Sequence, residues 1–346
     1  MNSTAHKKNI NVKTRNLLQL FLALLIAVTL PTVAKATHIV GGEIGYECLG
    51  NNEYEITLKV YRDCFNGQED FDRPAFIGIY NIFGELVRRL EIPFNGVRDT
   101  LNPRLNDPCL AIPGDVCVDT ATYRTVIELD PNPEGGVYQI SYVRCCRNKI
   151  IDNIENPEEV GAVYDIFLTA DAMARCNDSP VFNAIPPNYI CANQPFVFDH
   201  SATDSNNDSL VYSLCTPLSA GSVSNPKPRP TFDPVNNGPP FDLVQFLPNF
   251  GLDNLFGAGT PLEIDPATGL LTAIPGIQGT FVVGICVDEY DRETGQWLSR
   301  TRRDFQFDVG ICGEIVTADF EVEEECSLTL DFENQSVGTE SYQWLF

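Results

Sequence analysis

Carboxylate and amide side chains alternate within one short stretch of the chain, and this pattern is the strongest chemical signal in the sequence. Asp204, Asn206 and Asp208 offer oxygen-bearing side chains at every second position. Ca²⁺ is held by about six to eight hard oxygen atoms, so a tight loop of Asp and Asn supplies part of its coordination shell. The candidate metal ligands are Asp204, Asn206, Asp208, Asp288 and Asp291, with Asp199 as a further candidate.

The same stretch also permits a loop that holds no metal. It is not an EF-hand, because Ser209 and Cys215 stand where that motif needs Gly and Glu. Asp and Asn side chains also hydrogen-bond to nearby backbone amides, so a metal-free Asx turn is the alternative. We expect Ca²⁺ to bind here with the weak affinity of extracellular modules, about 10⁻⁴–10⁻³ M.

Residue types that support catalysis are sparse. The chain has three histidines, His6, His38 and His200, and neither a Gly-x-Ser-x-Gly nor a His-Glu-x-x-His motif. Residues 39–42, Ile-Val-Gly-Gly, imitate the mature N-terminus of a trypsin-like protease, but no nucleophile loop of that type accompanies them. Glycoside hydrolysis needs only two carboxyl groups at a set separation, and the sequence cannot choose a pair among 47 acidic residues. We expect a protein that is not an enzyme.

Aromatic side chains offer a stacking surface for sugars, but they are also typical of a hydrophobic core, which we expect here. An apolar, loop-like stretch at residues 246–256 is the exception, because an exposed patch there would mark a partner site. The aromatic residues concerned are Tyr46, Tyr61, Phe65, Phe71, Phe76, Phe246, Phe250 and Phe256.

Twelve cysteines predict a disulfide framework, because an even number in an exported chain is typical of oxidised pairs. No Cys-x-x-Cys spacing occurs, which weakens zinc-ribbon and thioredoxin-type interpretations. Short separation favours local bridges such as Cys109–Cys117 and Cys176–Cys191, although the sequence leaves the connectivity open. We expect the adjacent Cys145 and Cys146 on opposite faces of a strand, with different partners, and a redox-active pair is the alternative.

The N-terminus has the features of a secretory signal peptide. Four basic residues precede an apolar run over residues 17–30, and Ala34-Lys35-Ala36 has the small-x-small cleavage pattern. The alternative, a transmembrane anchor, needs a longer run of about 20 apolar residues. We therefore expect removal of residues 1–36, no transmembrane segment after cleavage, and an extracellular or cell-surface location.

Alternation of apolar and polar residues dominates the rest of the chain and predicts β-strands. Clear cases are residues 54–61, 123–129, 137–144 and 162–168, and no stretch has the pattern of an amphipathic helix. These strands predict an antiparallel β-sandwich over residues 37–178.

A second β unit is predicted over residues 179–312, with strands near 195–198, 209–214, 262–264, 280–287 and 303–309. A Pro-rich insertion at residues 225–240 interrupts it, and we expect this insertion to be extended, either as a functional loop or as a covering flap. Residues 313–346 hold three further strand patterns, too few for an independent core, so the chain is expected to stop inside a domain.

Residues 37–64, which begin Thr-His-Ile-Val-Gly-Gly-Glu and include Cys48 and Cys64, resemble the N-terminus of large Bacteroidetes surface proteins. Those proteins carry PKD (polycystic-kidney-disease-like) domains and a gliding-motility-associated C-terminal region. The tail resembles the start of a PKD domain, although Leu345 replaces its usual acidic residue. The matching positions are Ala318 and Phe320, Phe332–Ser336 and Tyr342–Phe346. The resemblance implies surface attachment or gliding, and export through a type IX secretion machinery.

The second unit resembles a cadherin-like or dystroglycan-type Ig module. Residues 202–214 match the acidic loop and following strand of that group, residues 262–271 match its turn, and residues 279–288 match its last strands. The Pro-rich insertion and the added cysteines depart from its pattern. The resemblance implies an adhesion or ligand-binding module, many of which bind Ca²⁺ through the acidic loop.

The predicted fold class is all-β: tandem Ig-like and cadherin-like β-sandwiches after a signal peptide, ending in an incomplete PKD-like sandwich over residues 313–346. We expect a secreted or cell-surface adhesion protein that binds an extracellular glycan or protein, as the N-terminal part of a longer PKD-repeat protein. The net charge of −24 argues against a nucleic-acid partner. The alternatives are a secreted polysaccharide-binding accessory module, a glycan-active enzyme, or a structural matrix spacer.

Overall fold

The computed structural model describes residues 39–65, 69–101, 110–111, 117–231, 238–314, 320–323 and 331–336. The predicted signal peptide, Cys109, Cys326 and the last predicted tail strand lie outside these ranges. Within them, none of the helices is long and apolar enough to cross a membrane.

Strands account for most of the regular structure, which confirms the predicted all-β class. The short helix α1 (Ala170–Arg175) is the α-helix of the described ranges, and 3₁₀ turns lie at Glu134–Gly136, Pro157–Glu159 and Leu252–Asn254. The strands are β1 (Ile39–Gly50), β2 (Glu53–Asp63), β3 (Ala75–Asn81), β4 (Leu86–Ile92), β5 (Asp99–Leu101), β6 (Leu110–Ala111), β7 (Val118–Glu128), β8 (Val137–Arg144), β9 (Ala162–Thr169), β10 (Val181–Phe182), β11 (Tyr189–Cys191), β12 (Phe196–Asp199), β13 (Ala202–Thr203), β14 (Ser209–Cys215), β15 (Leu218–Ser219), β16 (Asp242–Leu243), β17 (Glu263–Ile264), β18 (Leu270–Ala273), β19 (Gly279–Tyr290), β20 (Trp297–Gly310), β21 (Gly313–Glu314), β22 (Phe320–Glu323) and β23 (Asp331–Asn334).

The long strand β20 is the branch point of a 12-stranded sheet. Along one edge, β20 pairs with β19 over its whole length. It also pairs with β9, then β1, and finally with β11, which runs parallel to it. Two branches leave β20, one running β9-β8-β3-β4 and the other β1-β2-β7-β5.

The first core lies between these two branches, because both contribute apolar side chains to it. Alternation along β2 sends Tyr54, Ile56, Leu58 and Val60 into this core, and the other branch supplies residues from β3, β8 and β9. Tyr142 and Tyr164 stack there with ring centroids 6.3 Å apart. Strands of both branches therefore bury their apolar faces in one shared core.

The second core lies on β19 and β20 and extends to the small sheet β12-β18-β17. Phe281, Phe305 and Phe307 of the long strands are buried in it, together with Phe256. The stretch 246–256 thus contributes to the core, with Phe246 and Phe250 partly buried against it. Of the other aromatic candidates, Tyr46, Tyr61, Phe71 and Phe76 are also buried and Phe65 is exposed.

The main sheet continues across the boundary that the sequence suggests between residues 178 and 179. Strand β20 belongs to the predicted second unit, yet it hydrogen-bonds to β1 and β9 of the predicted first unit. The described residues on both sides of this boundary belong to one compact unit.

The described part of the Pro-rich insertion covers the first unit. The carbonyl oxygen of Pro226 accepts hydrogen bonds from the amide of Cys145 and from the Arg144 guanidinium. Arg229 lies over the Phe76 ring, 4.3 Å from its centroid. Of the two interpretations of the insertion, a functional loop or a covering flap, these contacts favour the covering flap.

Cys117 is bonded to Cys64, Cys176 to Cys48 and Cys191 to Cys312, so the local bridges Cys109–Cys117 and Cys176–Cys191 are wrong. Sequence proximity misleads here because strands that are far apart in the chain are neighbours in the sheet. The disulfides of the described ranges are Cys48–Cys176, Cys64–Cys117, Cys145–Cys146, Cys191–Cys312 and Cys215–Cys286.

Cys145 and Cys146 are bonded to each other, which overturns the expectation of different partners. That expectation assumed strand alternation, but β8 ends at Arg144, one residue earlier. Both cysteines are buried, and the peptide bond between them is cis.

A buried ion pair fastens the chain after β8 to the centre of β20. Arg147 and Asp304 are only 5% and 2% exposed in their side chains, and Nη1 of Arg147 donates to Oδ1 of Asp304 at 3.1 Å. Arg147 also donates to the carbonyl oxygen of Leu218. Neither charge has access to water, so each depends on the other.

Replacing Arg147 by Met is expected to lower the free energy of unfolding by about 3–5 kcal/mol, because Asp304 would remain buried without its partner. Urea denaturation of the folded chain measures this. The matched control is Arg124→Met, which removes an exposed arginine paired with Glu55 and is expected to cost less than about 1 kcal/mol. Equal losses of stability in the two variants would contradict the conclusion that the Arg147–Asp304 pair is buried and mutually dependent.

Candidate metal centre

The acidic loop between β13 and β14 meets the end of β19 and forms a cluster of three carboxyl groups. Asp204 and Asp208 come from the loop, and Glu289 comes from β19. The antiparallel register pairs Leu210 with Glu289, which brings the start of β14 beside the end of β19. One carboxylate oxygen of each residue lies within 4.8 Å of those of the other two. This spacing suits one cation between them, since oxygens on opposite sides of Ca²⁺ are about 5 Å apart.

The loop is folded back on itself by its own side chains. Oδ1 of Asp204 accepts a hydrogen bond from the amide of Asp208 at 2.6 Å. Asn207 adopts a left-handed backbone with φ of 62°, which Asn tolerates better than most residues. The two aspartates of the loop therefore both place a carboxylate oxygen near Glu289.

Glu289 lies at the bottom of the cluster and has no exposed surface. The side-chain amide of Asn177 donates to its Oε1 at 2.8 Å, and the hydroxyl of Ser299 donates to its Oε2. Burial, with a smaller contribution from Asp204, raises the pKa of Glu289 to about 8. Near neutral pH this site therefore holds a proton where a cation would fit.

The two loop aspartates add further negative charge above Glu289. Burial, followed by the nearby Asp204 carboxylate, raises the pKa of Asp208. A hydrogen bond between the side chains of Glu289 and Asp204 favours the protonated form of Glu289. The cluster thus concentrates carboxyl groups whose mutual repulsion a cation would relieve.

Of the five predicted metal ligands, the structure brings Asp204 and Asp208 together. Asn206 belongs to the same loop, but its Oδ1 accepts a hydrogen bond from the amide of Asp178 at 2.9 Å. Asn206 therefore fixes the loop against the segment that contains Asp178 and is not part of the carboxyl cluster.

The remaining candidates are engaged elsewhere. Asp288 accepts two hydrogen bonds of 2.8 Å from the guanidinium of Arg300. Asp291 forms an ion pair with Arg175. Asp199 accepts a hydrogen bond from the amide of Ser201 at 3.0 Å. These three residues do not join the cluster.

Sequence reasoning selected Asp288 and missed Glu289, its neighbour. Side chains alternate along a strand, so the two residues point to opposite faces of β19. The available signal was the position of Glu289 two residues after Val287, on the face that also carries the apolar Val287.

An open groove of about 440 Å³ leads from solvent to the acidic loop. Asp204, Asn207 and Asp208 line one part of it, and Tyr212, Thr268 and Arg292 line the rest. The groove offers space for water molecules that would complete a coordination shell.

No protein-family model, curated protein or solved structure matches the chain. The resemblances to gliding-associated, PKD and cadherin-like proteins therefore stay predictions.

The raised pKa of Glu289 predicts a specific pH dependence of stability. The unfolded carboxyl releases its proton near pH 4.5, whereas the folded one keeps it to about pH 8. Between these values the folded state binds more protons, so its stability falls as the pH rises. One pKa unit corresponds to about 1.4 kcal/mol of stability. As the pH rises from 5 to 8, the free energy of unfolding of wild type is therefore expected to fall by up to a few kcal/mol more than that of Glu289→Gln.

Urea unfolding at pH 5, 6, 7 and 8, without added divalent cations, measures this difference. The control is Asp199→Asn, because hydrogen bonds with Ser201 lower the pKa of Asp199, so its ionisation is complete below this range. The difference in free energy of unfolding between Asp199→Asn and wild type is expected to stay constant from pH 5 to 8. A wild-type slope equal to that of Glu289→Gln would show that Glu289 ionises normally.

Proposed function

We propose that the chain is an exported, non-catalytic binding protein of the cell surface in which Ca²⁺ stabilises the acidic loop. The observation that carries this proposal is the fully buried Glu289 facing Asp204 and Asp208. A carboxyl cluster that can exchange its proton for Ca²⁺ suits an extracellular protein, because Ca²⁺ is abundant outside cells.

Ca²⁺ is the favoured cation because the cluster offers oxygen ligands alone. The described loop brings carboxylates, and the groove beside it admits water. A bound cation would replace the proton of Glu289 and join the loop to β19. The loop would then be fixed to the central sheet instead of being held by its own turn.

The disulfide framework supports the part of the proposal that concerns export and attachment. Disulfides persist in oxidising compartments. Cys215–Cys286 joins β14 to β19, and Cys191–Cys312 joins β11 to the chain that follows β20. Cross-links next to the branch point suit a protein that carries mechanical load. We propose that it acts in surface attachment or gliding, as the N-terminal part of a longer PKD-repeat protein exported by the type IX machinery.

Ca²⁺ is expected to raise the melting temperature and to bind with a Kd of about 10⁻⁴–10⁻³ M. Ten times the Kd of free Ca²⁺ corresponds to a stabilisation of about 1.4 kcal/mol. Binding is expected to be tighter at pH 8.5 than at pH 6, because the metal displaces the proton of Glu289. Calorimetric titration and thermal unfolding measure both effects.

Two variants and a control test whether Ca²⁺ binds at the carboxyl cluster. Glu289→Gln and Asp204→Asn are expected to lose the Ca²⁺ response, while Asp199→Asn, outside the cluster, is expected to keep it. Absence of binding heat and of a melting shift at 10 mM Ca²⁺ in wild type would remove the calcium proposal.

The alternative of a glycan-active enzyme predicts a different outcome with oligosaccharides. We expect the mature chain to retain a recognised glycan without releasing new reducing ends. An assay for reducing sugars after prolonged incubation with soluble polysaccharides separates binding from hydrolysis. Time-dependent release that scales with protein concentration would make the chain an enzyme.

A further inference from the structure

A cleft of about 160 Å³, with apolar as well as polar lining, lies on the side of β1 and β2 that faces away from the first core. Strand alternation puts Ile44 and Tyr46 into that core, and Glu43 and Gly45 on the other face. The segment Ser179–Phe182 crosses above this face and forms the roof. The cleft is separate from the acidic cluster, with which it shares no lining residue.

Small and hydroxyl-bearing residues form the floor of the cleft. Gly45 pairs with Thr57 of β2, and Thr57 pairs with Arg124 of β7. A Cβ atom at Gly45 would lie 3.0 Å from Ser179 Oγ, so the absence of a side chain lets the roof approach the floor closely at this point. The space between the floor and the roof at this point therefore depends on Gly45.

One buried hydroxyl on this floor lacks a partner. Thr301 of β20 lines the cleft and is 2% exposed, and its Oγ1 has no hydrogen bond to any described residue. Buried hydroxyl groups in proteins nearly always have a partner, supplied by protein, water or ligand. This hydroxyl therefore points to a polar occupant of the cleft.

The charged residues that line the cleft balance in number, because two carboxylates, Glu43 and Glu47, accompany two cations, Lys59 and Arg124. Glu43 is 7% exposed and pairs with Lys59 at 2.9 Å and with the buried Arg303 at 2.6 Å. Arg124 pairs with Glu55. An anionic occupant would have to compete with carboxylates that already hold these cations, and a cationic occupant would have to compete with the cations themselves. The arrangement favours an uncharged occupant.

We propose that this cleft binds one neutral sugar residue, either free or at the end of a glycan. Hydroxyl groups of a sugar both donate and accept, which matches the hydroxyl of Thr301, the ammonium of Lys59 and the carboxylate of Glu43. The volume suits a single ring. This inference rests on the proposed binding function and names its ligand class.

Saturation-transfer NMR and calorimetry on the mature chain, with 5 mM Ca²⁺, test the proposal. The probes are glucose, galactose, mannose and N-acetylglucosamine, with glucuronate as the acidic comparison. We expect at least one neutral sugar to bind more tightly than glucuronate. Binding of glucuronate alone, or of no neutral sugar, would overturn the proposal.

Thr301→Val keeps the shape of the side chain and removes the hydroxyl. It is expected to weaken sugar binding roughly fivefold or more, the loss typical of one hydrogen bond. Gly45→Ala is a second variant that narrows the cleft without touching the core, and it is expected to weaken binding as well. Thr272→Val, in β18 and outside the cleft, is the matched control. Unchanged affinity in both cleft variants would place the sugar elsewhere and overturn the assignment.

Failure of this inference is distinguishable from failure of the proposed function. A chain that binds Ca²⁺ but no sugar contradicts the cleft assignment alone. A chain that binds a neutral sugar in the cleft and also releases reducing ends keeps the cleft and contradicts the non-catalytic function.

Discussion

The charged side chains of β20 need partners inside the sheet, and this requirement constrains the strands around it. A buried charge without a partner costs several kcal/mol, so each pair fixes the neighbour that supplies it. The partners come from β1, the chain after β8, β9 and β19, which are the segments that surround the branch point. The buried pairs are Arg303–Glu43, Arg147–Asp304 and Arg302–Asp165. The fourth pair joins Asp288 to Arg300, whose side chain is exposed.

Local patterns were enough to predict many of the strands. Residues 137–144 were predicted from alternation alone, and β8 has those bounds. Residues 54–61 lie inside β2 for the same reason. Alternation works here because one face of each strand packs on the first core and the other face does not. The all-β class follows from such segments.

Pairing between distant segments could not be predicted from such local patterns. The disulfide Cys48–Cys176 joins residues 128 positions apart, and nothing local marks that pairing. Glu289 escaped notice because its role depends on the register between β14 and β19, which a single sequence does not reveal. Two of the three residues of the cluster, Asp204 and Asp208, could be predicted because both belong to one short loop. The cleft has no local signature either, since its floor comes from several strands.

One segment connects the acidic cluster to the cleft. Asn177 donates to Glu289, and the amide of Asp178 donates to Asn206 of the acidic loop. The next residue, Ser179, begins the roof of the cleft and exchanges hydrogen bonds with the backbone of Tyr46. A cation that fixes the acidic loop therefore also restrains the segment from which the roof continues. Under the two proposals, Ca²⁺ and sugar act on one element, and any effect of the first on the affinity of the second must be reciprocal.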